Sequence, residues 1–440
     1  MTRRATLRGA ERTPLEGAAA RADVLVCGAS FAGLAVAREL AGSGADVLVV
    51  DRYEIGERQT SACAVPTPWL HAMGVREAIR QELPGMAFHT PHGSARFRLP
   101  WSWSSFDYRT LCHELWEQAD ARFEVAHVTS REAAPKAVTR RRGGGATARA
   151  DSVAERRSIS PFTTPAARAA EPRASSADAA SGAVPGDVTV ITDRGQLTAP
   201  LVVDALGWRR VLGAGANVQP PEAQISRGLE VHPDARGGDE DLDIWIDRSL
   251  IRRGYAWSVP AAGEQRVGVG SYEPRDHVKE PTREIAGRLG LPPVRYQGNW
   301  FPHALRPAVE DGVFFAGDSA GHCFPLSGEG IRTAFYFGIA CGRELRRVLA
   351  GEATRAQALA AYGEFSDAHA PAFATALRLQ RLIPALPPRA LTALLSVVGR
   401  ERPCRRAFSW YLDQAHPRFA AHAHKRHMDA QVHERALTGG

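Results

Sequence analysis

Lysine is almost missing from this 440-residue chain: Lys136, Lys279 and Lys425 are the only three, so arginine carries nearly all the positive charge. Cysteine is sparse as well. The six residues, at positions 27, 63, 112, 323, 341 and 404, never fall in a CxxC pair. That scatter argues against a disulfide framework and a zinc site, and leads us to expect a reduced, cytoplasmic protein without a metal. No stretch approaches 18 consecutive apolar residues, so no membrane-spanning helix is expected. The first 20 residues are Arg- and Ala-rich and lack the apolar core of a secretory signal; a disordered tail is expected there. The net charge of +7 is concentrated in an irregular middle segment and in the last hundred residues. It is a poor argument for nucleic acid, and no such partner is expected. A basic C-terminal face meeting an anionic membrane surface is the more natural use of that charge.

What the chain does contain begins at Ala22-Asp-Val-Leu-Val-Cys-Gly28 and runs to Asp51. An apolar run, Val24 to Val26, reads as a buried parallel strand. The turn Gly28-Ala-Ser30-Phe31-Ala32-Gly33 leads into a helix through Leu40. A second strand, Val47 to Val50, ends at Asp51. Free N–H groups at the start of such a helix accept a pyrophosphate, and the terminal acid is placed for a ribose. Ser30 departs from the GxGxxG fingerprint where the backbone must approach the phosphates. The plainer alternative is a βαβ unit with no ligand, and the stretch alone does not separate FAD from NAD.

Further along, Arg52 to Leu70 reads as a loop over the ligand, with Ser61-Ala-Cys63-Ala near the reacting centre. The plainer role for Cys63 is a small buried apolar side chain. His71 to Leu83 is expected to be a helix, Met86 to Trp103 two short strands turning at Pro91-His92-Gly93, and Phe106 to Ala119 a helix. Residues 131–187 are rich in Ala, Arg, Ser, Gly and Pro with few large apolar residues, and are expected to be a disordered insertion. Val188 to Asp204 reads as a hairpin followed by a buried strand, and 226–272 as an antiparallel sheet whose last hairpin turns at Ala262-Gly263-Glu264. A helix is expected near 281–291, a buried strand at 312–316, a long helix at 330–350, and helices with Pro breaks to the end. Within the last part, Leu377 to Trp410 is amphipathic: it suits either a membrane surface or core packing. The histidines at 416, 422, 424, 427 and 433 have no acidic or Cys partner that completes a metal site.

The segment Val313-Phe-Phe-Ala-Gly317-Asp318 through Pro325-Leu-Ser-Gly328-Glu-Gly330-Ile331 resembles the second FAD motif of the flavoprotein superfamily that includes para-hydroxybenzoate hydroxylase. Within it, the chain resembles the geranylgeranyl reductase-like flavoproteins. The carrying pieces are the Gly28 loop, Asp204-Ala-Leu-Gly207, the hairpin Tyr255-Ala-Trp257-Ser-Val-Pro260 with Arg266-Val-Gly268-Val-Gly270, and Pro325 to Ile331. Two departures stand out: Ala64-Val65-Pro66 follows Cys63 where the family has glycines, and Val259 replaces a Phe.

The resemblance implies an α/β fold: a Rossmann-like FAD-binding domain (21–75, 105–130, 188–213 and 296–345) interleaved with an antiparallel substrate-binding sheet (76–104 and 214–295), and a helical region at 346–440. It implies FAD held by Gly28, Ser30, Phe31, Ala32, Gly33, Asp51, Arg52, Arg109, Gly317, Asp318, Pro325, Gly328, Gly330 and Ile331. Cys63, Tyr255 and Trp257 would line the reacting pocket, although ordinary sheet core would account for the two aromatics equally. The activity implied is hydride delivery from reduced flavin to a double bond of a hydrophobic, prenyl-like substrate, with NAD(P)H or ferredoxin as electron donor. A monooxygenase using NAD(P)H and dioxygen is the alternative. A flavin-dependent halogenase, which would need a lysine, and a non-catalytic flavin carrier stand behind these.

Overall fold

Four consecutive residues with no solvent face, Val24–Cys27, fit only the middle of a sheet covered on both sides. The structure is a computed structural model and describes residues 13–59, 61–132, 186–213, 222–235 and 241–420. In chain order the first elements are β1 (Val24–Cys27), α1 (Phe31–Leu40), β2 (Val47–Asp51), β3 (Ala64–Pro66), α2 (Thr67–Met73), β4 (Ile79–Thr90), β5 (Gly93–Phe106) and α3 (Tyr108–Glu117). Then follow β6 (Arg122–Val125), β7 (Val128–Arg131), β8 (Val188–Thr192), β9 (Gly195–Ala199), β10 (Leu201–Asp204), β11 (Ile225–Val231), β12 (Asp241–Trp245), β13 (Gly254–Pro260) and β14 (Gln265–Ser271). The remainder is α4 (Lys279–Arg288), β15 (Gln297–Pro302), β16 (Val309–Glu310), β17 (Val313–Phe315), α5 (Ile331–Leu349), α6 (Arg355–Asp367), α7 (Ala370–Leu382), α8 (Pro388–Val398) and α9 (Glu401–Asp413).

Two large sheets organise the fold. The first has the order β16-β17-β10-β1-β2-β6 and is parallel except for β16. Its register sets Cys27 beside both Val50 and Asp204, so the carboxyl ends of the central strands share one edge. Ligands of open parallel sheets bind at that edge. The second has the order β15-β11-β14-β13-β12-β4-β5-β3, antiparallel except where β12 meets β4. A small sheet, β7-β8-β9, stands beside them. This is the mixed α/β architecture with a helical C-terminus that the sequence implies.

Three expectations need correction. The helix expected at 71–83 is α2, which starts earlier and stops at Gly74 in a left-handed C-cap; Ile79 onward is strand β4. Ile79 and Leu83 have the spacing of a helical pair, but also the parity of a strand, and pairing with β5 decides. Pro84, which has no N–H, falls where the ladder with β5 shifts register between Leu83 and Gly85. The loop expected over 52–70 contains β3 and the start of α2. Finally, residues 13–20 are not a free tail: Leu15 is buried and its N–H donates to Arg194 O at 2.8 Å. Residues 1–12, nearly all of the 131–187 insertion (133–185) and the histidines beyond His416 lie outside the described residues.

The C-terminal helices close the structure. α5 lies directly on α1: a Cβ at Gly338 would come within 2.7 Å of Ala32 O, and one at Gly342 within 2.6 Å of Glu39 Cβ. α8 and α9 pack on the second sheet, through Thr392 to Thr90 (Oγ1–Oγ1 2.6 Å), Cys404 Sγ to Arg98 O (3.4 Å) and Phe408 against Phe97. No described helix is long and apolar enough to cross a membrane.

Candidate active site

A cavity of about 910 Å³ runs from the loop after β1 to helices α7–α9. Its wall includes Ser30, Phe31, Ala32, Asp51, Arg52, Cys63, Tyr255, Trp257, Gly317, Asp318, Gly328, Gly330 and Ile331. Thirteen side chains or backbone segments singled out from sequence, drawn from both halves of the chain, are thus brought to one space. Gly28, Gly33 and Pro325 lie behind the wall rather than in it. Gly28 has φ +113°, and a Cβ there would meet Ala205 O at 2.3 Å; a Cβ at Gly33 would meet Gly28 O at 1.8 Å. Both let the chain turn tightly at the sheet edge. Arg109 is exposed and lines an adjoining polar cavity of about 640 Å³, which shares Arg58, Tyr108 and Gln297 with the main one.

At the α1 end of the cavity, the first hydrogen bond of the helix runs from Leu34 N–H to Ser30 O. The amides of Phe31, Ala32 and Gly33 are therefore not used by the helix. Ser30 is the N-cap residue but makes no side-chain cap bond; its Oγ accepts from Tyr108 OH at 3.1 Å instead. Asp51 braces the loop: Oδ2 accepts from Ala29 N–H (2.8 Å) and Oδ1 from Tyr53 N–H (3.1 Å). Burial pushes its carboxyl up, against those two bonds. A carboxylate has about four acceptor positions, so Asp51 keeps capacity for a ribose hydroxyl.

Across the cavity, Asp318 follows β17 in a short 3₁₀ turn. Its carboxyl is pushed up to about 6 by burial, opposed by the charge of Arg306, and no hydrogen bond holds it down. It lines the cavity as an acceptor to which no described residue donates.

The next loop is held in a shape that it would not adopt alone. Leu326 has φ +73°, a conformation costing about 1–3 kcal/mol outside glycine. Four side chains clamp it and its neighbours. Leu326 N–H donates to Gln380 Oε1 (2.8 Å) and Leu326 O accepts from Tyr272 OH (2.5 Å). Ser327 O accepts from Tyr255 OH, and Tyr411 OH donates to Glu329 Oε2 (2.9 Å). Sequence reasoning found Tyr255 but not Tyr272, Gln380 or Tyr411. Nothing local marks the latter two, which come from the C-terminal helices.

Cys63 is also in a left-handed conformation, with φ +52°. It is fully buried, and burial pushes its thiol up to about 12, so it stays protonated.

The floor of the cavity is one face of the second sheet. Trp257 lies across glycines: a Cβ at Gly268 would come within 2.3 Å of its ring, at Gly270 within 3.3 Å and at Gly228 within 3.6 Å. Only residues without side chains leave this space, which explains the Val-Gly-Val-Gly run. On the same face, Glu230 is 2% exposed and accepts from Trp257 Nε1 (3.2 Å) and pairs with His232 Nε2 (2.9 Å). Arg266, 1% exposed, donates to the carbonyls of Ala62 (2.8 Å), Cys63 (3.2 Å) and Phe106 (3.0 Å). It ties the floor to the Cys63 segment. The Glu230–His232 pair escaped the sequence reading; alternation with Gly228 was the available signal. The far end of the cavity is apolar, with Met86, Phe88, Leu242, Ile244, Leu391 and Phe408 in its wall.

No family model and no curated protein matches the chain. Among solved structures, it is similar to a geranylgeranyl bacteriochlorophyll reductase-like protein from Thermoplasma acidophilum, with a TM-score of 0.70 at 14% identity, over 92% of this chain and 99% of that one. It is also similar to PqsL, a probable FAD-dependent monooxygenase from Pseudomonas aeruginosa (TM-score 0.54, 17% identity, 82% and 98% coverage). A third is the flavin-dependent brominase Bmp2 (TM-score 0.54, 14% identity, 89% and 99% coverage). These likenesses establish a common fold.

Proposed function

We propose that the chain binds FAD between the α1 N-terminus and Asp318, and that it reduces a double bond of a long hydrophobic substrate. The observation that carries this reading is the single cavity. One end has free helix amides and an acceptor, Asp318, without a donor among the described residues; the other is apolar and walled by α7–α9. The donor set fits the cofactor: Phe31 to Gly33 amides for the pyrophosphate, Asp51 for the ribose, Asp318 for the ribityl hydroxyls, and the clamped 326–330 segment beside the ring. Bound FAD would supply hydride chemistry. The chain's own part is to hold the ring and enclose the reacting carbons against Tyr255 and Trp257. NAD(P)H or ferredoxin is the proposed electron donor. Anaerobic reoxidation of the reduced flavin by prenyl compounds tests the reading. No reoxidation by any of them overturns it.

Monooxygenation is the second reading. Ala64–Pro66, the point of departure from the reductase pattern, pairs with β5 as a strand instead of forming an open glycine loop. Substrate-coupled oxygen consumption would favour it. Halogenation lacks support: Lys279, the one lysine among the described residues, is not in the cavity wall.

Peripheral membrane contact belongs to the same proposal. Leu382, Leu394 and Trp410 line the cavity and are 55%, 42% and 37% exposed, and Val397 beside them is 48% exposed. Exposed Arg381, Arg389, Arg400, Arg402, Arg405 and Arg406 lie on or next to the same three helices. Exposed apolar and arginine side chains on the same helices suit an anionic lipid surface. Co-sedimentation with anionic but not neutral vesicles is expected; equal sedimentation with both, or none, counts against it.

A further inference from the structure

Reducing a carbon–carbon double bond adds two hydrogens. One carbon takes a hydride with its electron pair from the reduced flavin, which is thereby oxidised by two electrons. Its neighbour takes a proton, and the π bond is consumed. In an apolar cavity that proton must come from a group that the protein places there. Four carboxyl groups line the wall: Asp51, Glu230, Asp318 and Glu329. Asp51 and Asp318 stand at the cofactor end. Glu329 is committed to the buried guanidinium of Arg332 at 2.7 Å and to Tyr411 OH at 2.9 Å. The phenols of Tyr255 and Tyr272 and the thiol of Cys63 are pushed upward by burial and are weak acids.

Glu230 is different because a path leads from it to water. Its Oε1 lies 2.9 Å from His232 Nε2. His232 Nδ1 lies 3.5 Å from Glu264 Oε1. The side chains of Glu230 and His232 are each 3% exposed, and that of Glu264 is 18% exposed at the β13–β14 turn. Other groups face this chain of three. Arg266 of β14 is 2.9 Å from Glu264, the Cys63 thiol lies near Glu230, and Arg295 donates to His232 O and pairs with Asp234. Gln297 of β15 is 3.4 Å from His232 Nδ1, and its Oε1 is buried without a partner; exchanging its amide O and N would place that acceptor on an Nδ1–H. Trp257 N–H, on the other side, holds Glu230 Oε2 at the floor.

We propose that Glu230 is the acid of the reaction, and that it shares one proton with His232, which is recovered from water at Glu264. The substrate carbon takes the shared proton, the pair is left one proton poorer, and solvent restores it. This rests on the reductase reading. Burial lowers His232, but hydrogen bonds to Glu230 and Glu264 outweigh it and raise His232 above its ordinary value, which favours a proton on the ring.

The test uses the full-length, FAD-loaded chain, reduced anaerobically, with geranylgeraniol as the probe. Glu230→Gln should reduce normally but reoxidise about 100-fold more slowly. His232→Gln should move the pH profile of reoxidation to lower pH, and Glu264→Gln should slow it mainly at high pH. Glu230→Gln within about threefold of wild type, with an unchanged profile, overturns the proposal. A second readout needs no turnover. The His232 ring resonances should titrate at lower pH in Glu230→Gln than in wild type; an unchanged titration overturns the shared proton. If neither this probe nor any other prenyl compound reoxidises wild type, the reductase reading fails, while the titration still decides the pair.

Discussion

The indole of Trp257 fills the space that a side chain at Gly268 would need: a Cβ there would come within 2.3 Å of Trp257 Cζ2 and 2.8 Å of Glu230 Cβ. The position therefore couples the cavity floor to its buried carboxyl. Gly268→Ala must push the indole into the cavity or bend β14. We expect a loss of about 1–3 kcal/mol from overpacking, read as a shift in the denaturant midpoint, together with weaker substrate binding. Adding Trp257→Leu should restore part of the stability. A Gly268→Ala protein as stable as wild type would show that the floor is looser than this packing requires.

Asp318 carries a stability signature that can be measured without substrate. Its carboxyl is raised to about 6 in the folded chain by burial. A carboxyl raised above its unfolded value is easier to deprotonate in the unfolded state. The folded, cofactor-free protein therefore loses stability as pH rises from about 4 through 6. Asp318→Asn removes that cost. The variant apoprotein should be more stable than wild-type apoprotein at pH 7.5, by more than at pH 4.5, and should bind FAD more weakly. Chemical denaturation at the two pH values, with a flavin titration, checks both. Equal pH dependence in the two proteins would contradict the assignment.

The parallel sheet was legible because its strands are buried on both faces and read as unbroken apolar runs, with acids at their ends. The carboxylates at the two ends of that edge are marked by position: Asp51 ends β2, and Asp318 follows β17 by three residues. The second sheet was legible where strands alternate, and failed at 71–83, where Ile79 and Leu83 satisfy both helical and strand spacing. The site's supports were the least legible. Tyr272, Gln380 and Tyr411 converge on the 326–329 loop from elements far apart in sequence, whereas Glu230 and His232, two residues apart at the end of β11, carried a local signal that the reading passed over. Long-range packing decides the loop contacts, and no local spacing encodes them.

Ser30 replaces the glycine expected at the phosphate loop, yet makes no cap bond and spends its hydroxyl on Tyr108. Replacing an N-cap serine by glycine costs a few tenths of a kcal/mol at most. Ser30→Gly should therefore melt near wild type and bind FAD as tightly or more tightly, because the backbone approach to the pyrophosphate is opened. A large loss of FAD affinity, measured by fluorescence titration, would mean that the Ser30 hydroxyl itself contacts the cofactor.

The end of α9 is held by a buried ion pair. Arg332, with a side chain 0% exposed, donates through Nε to Glu329 Oε2 at 2.7 Å, and through a terminal nitrogen to the carbonyls of Tyr411 (2.9 Å) and Leu412 (3.1 Å). Glu329 in turn accepts from Tyr411 OH and from Arg332 N–H at 2.8 Å. Glu329→Ala leaves a guanidinium without its counter-charge in a dry site, a change that costs about 3–5 kcal/mol. It also frees the end of α9, so proteolysis near residues 411–420 should accelerate. The double variant Glu329→Met with Arg332→Met removes both charges and should recover part of the loss, since charge burial without a partner is the main penalty. If the double variant is as unstable as the sum of the two single ones, the pair acts through its hydrogen bonds to the 411–415 backbone and not through charge compensation.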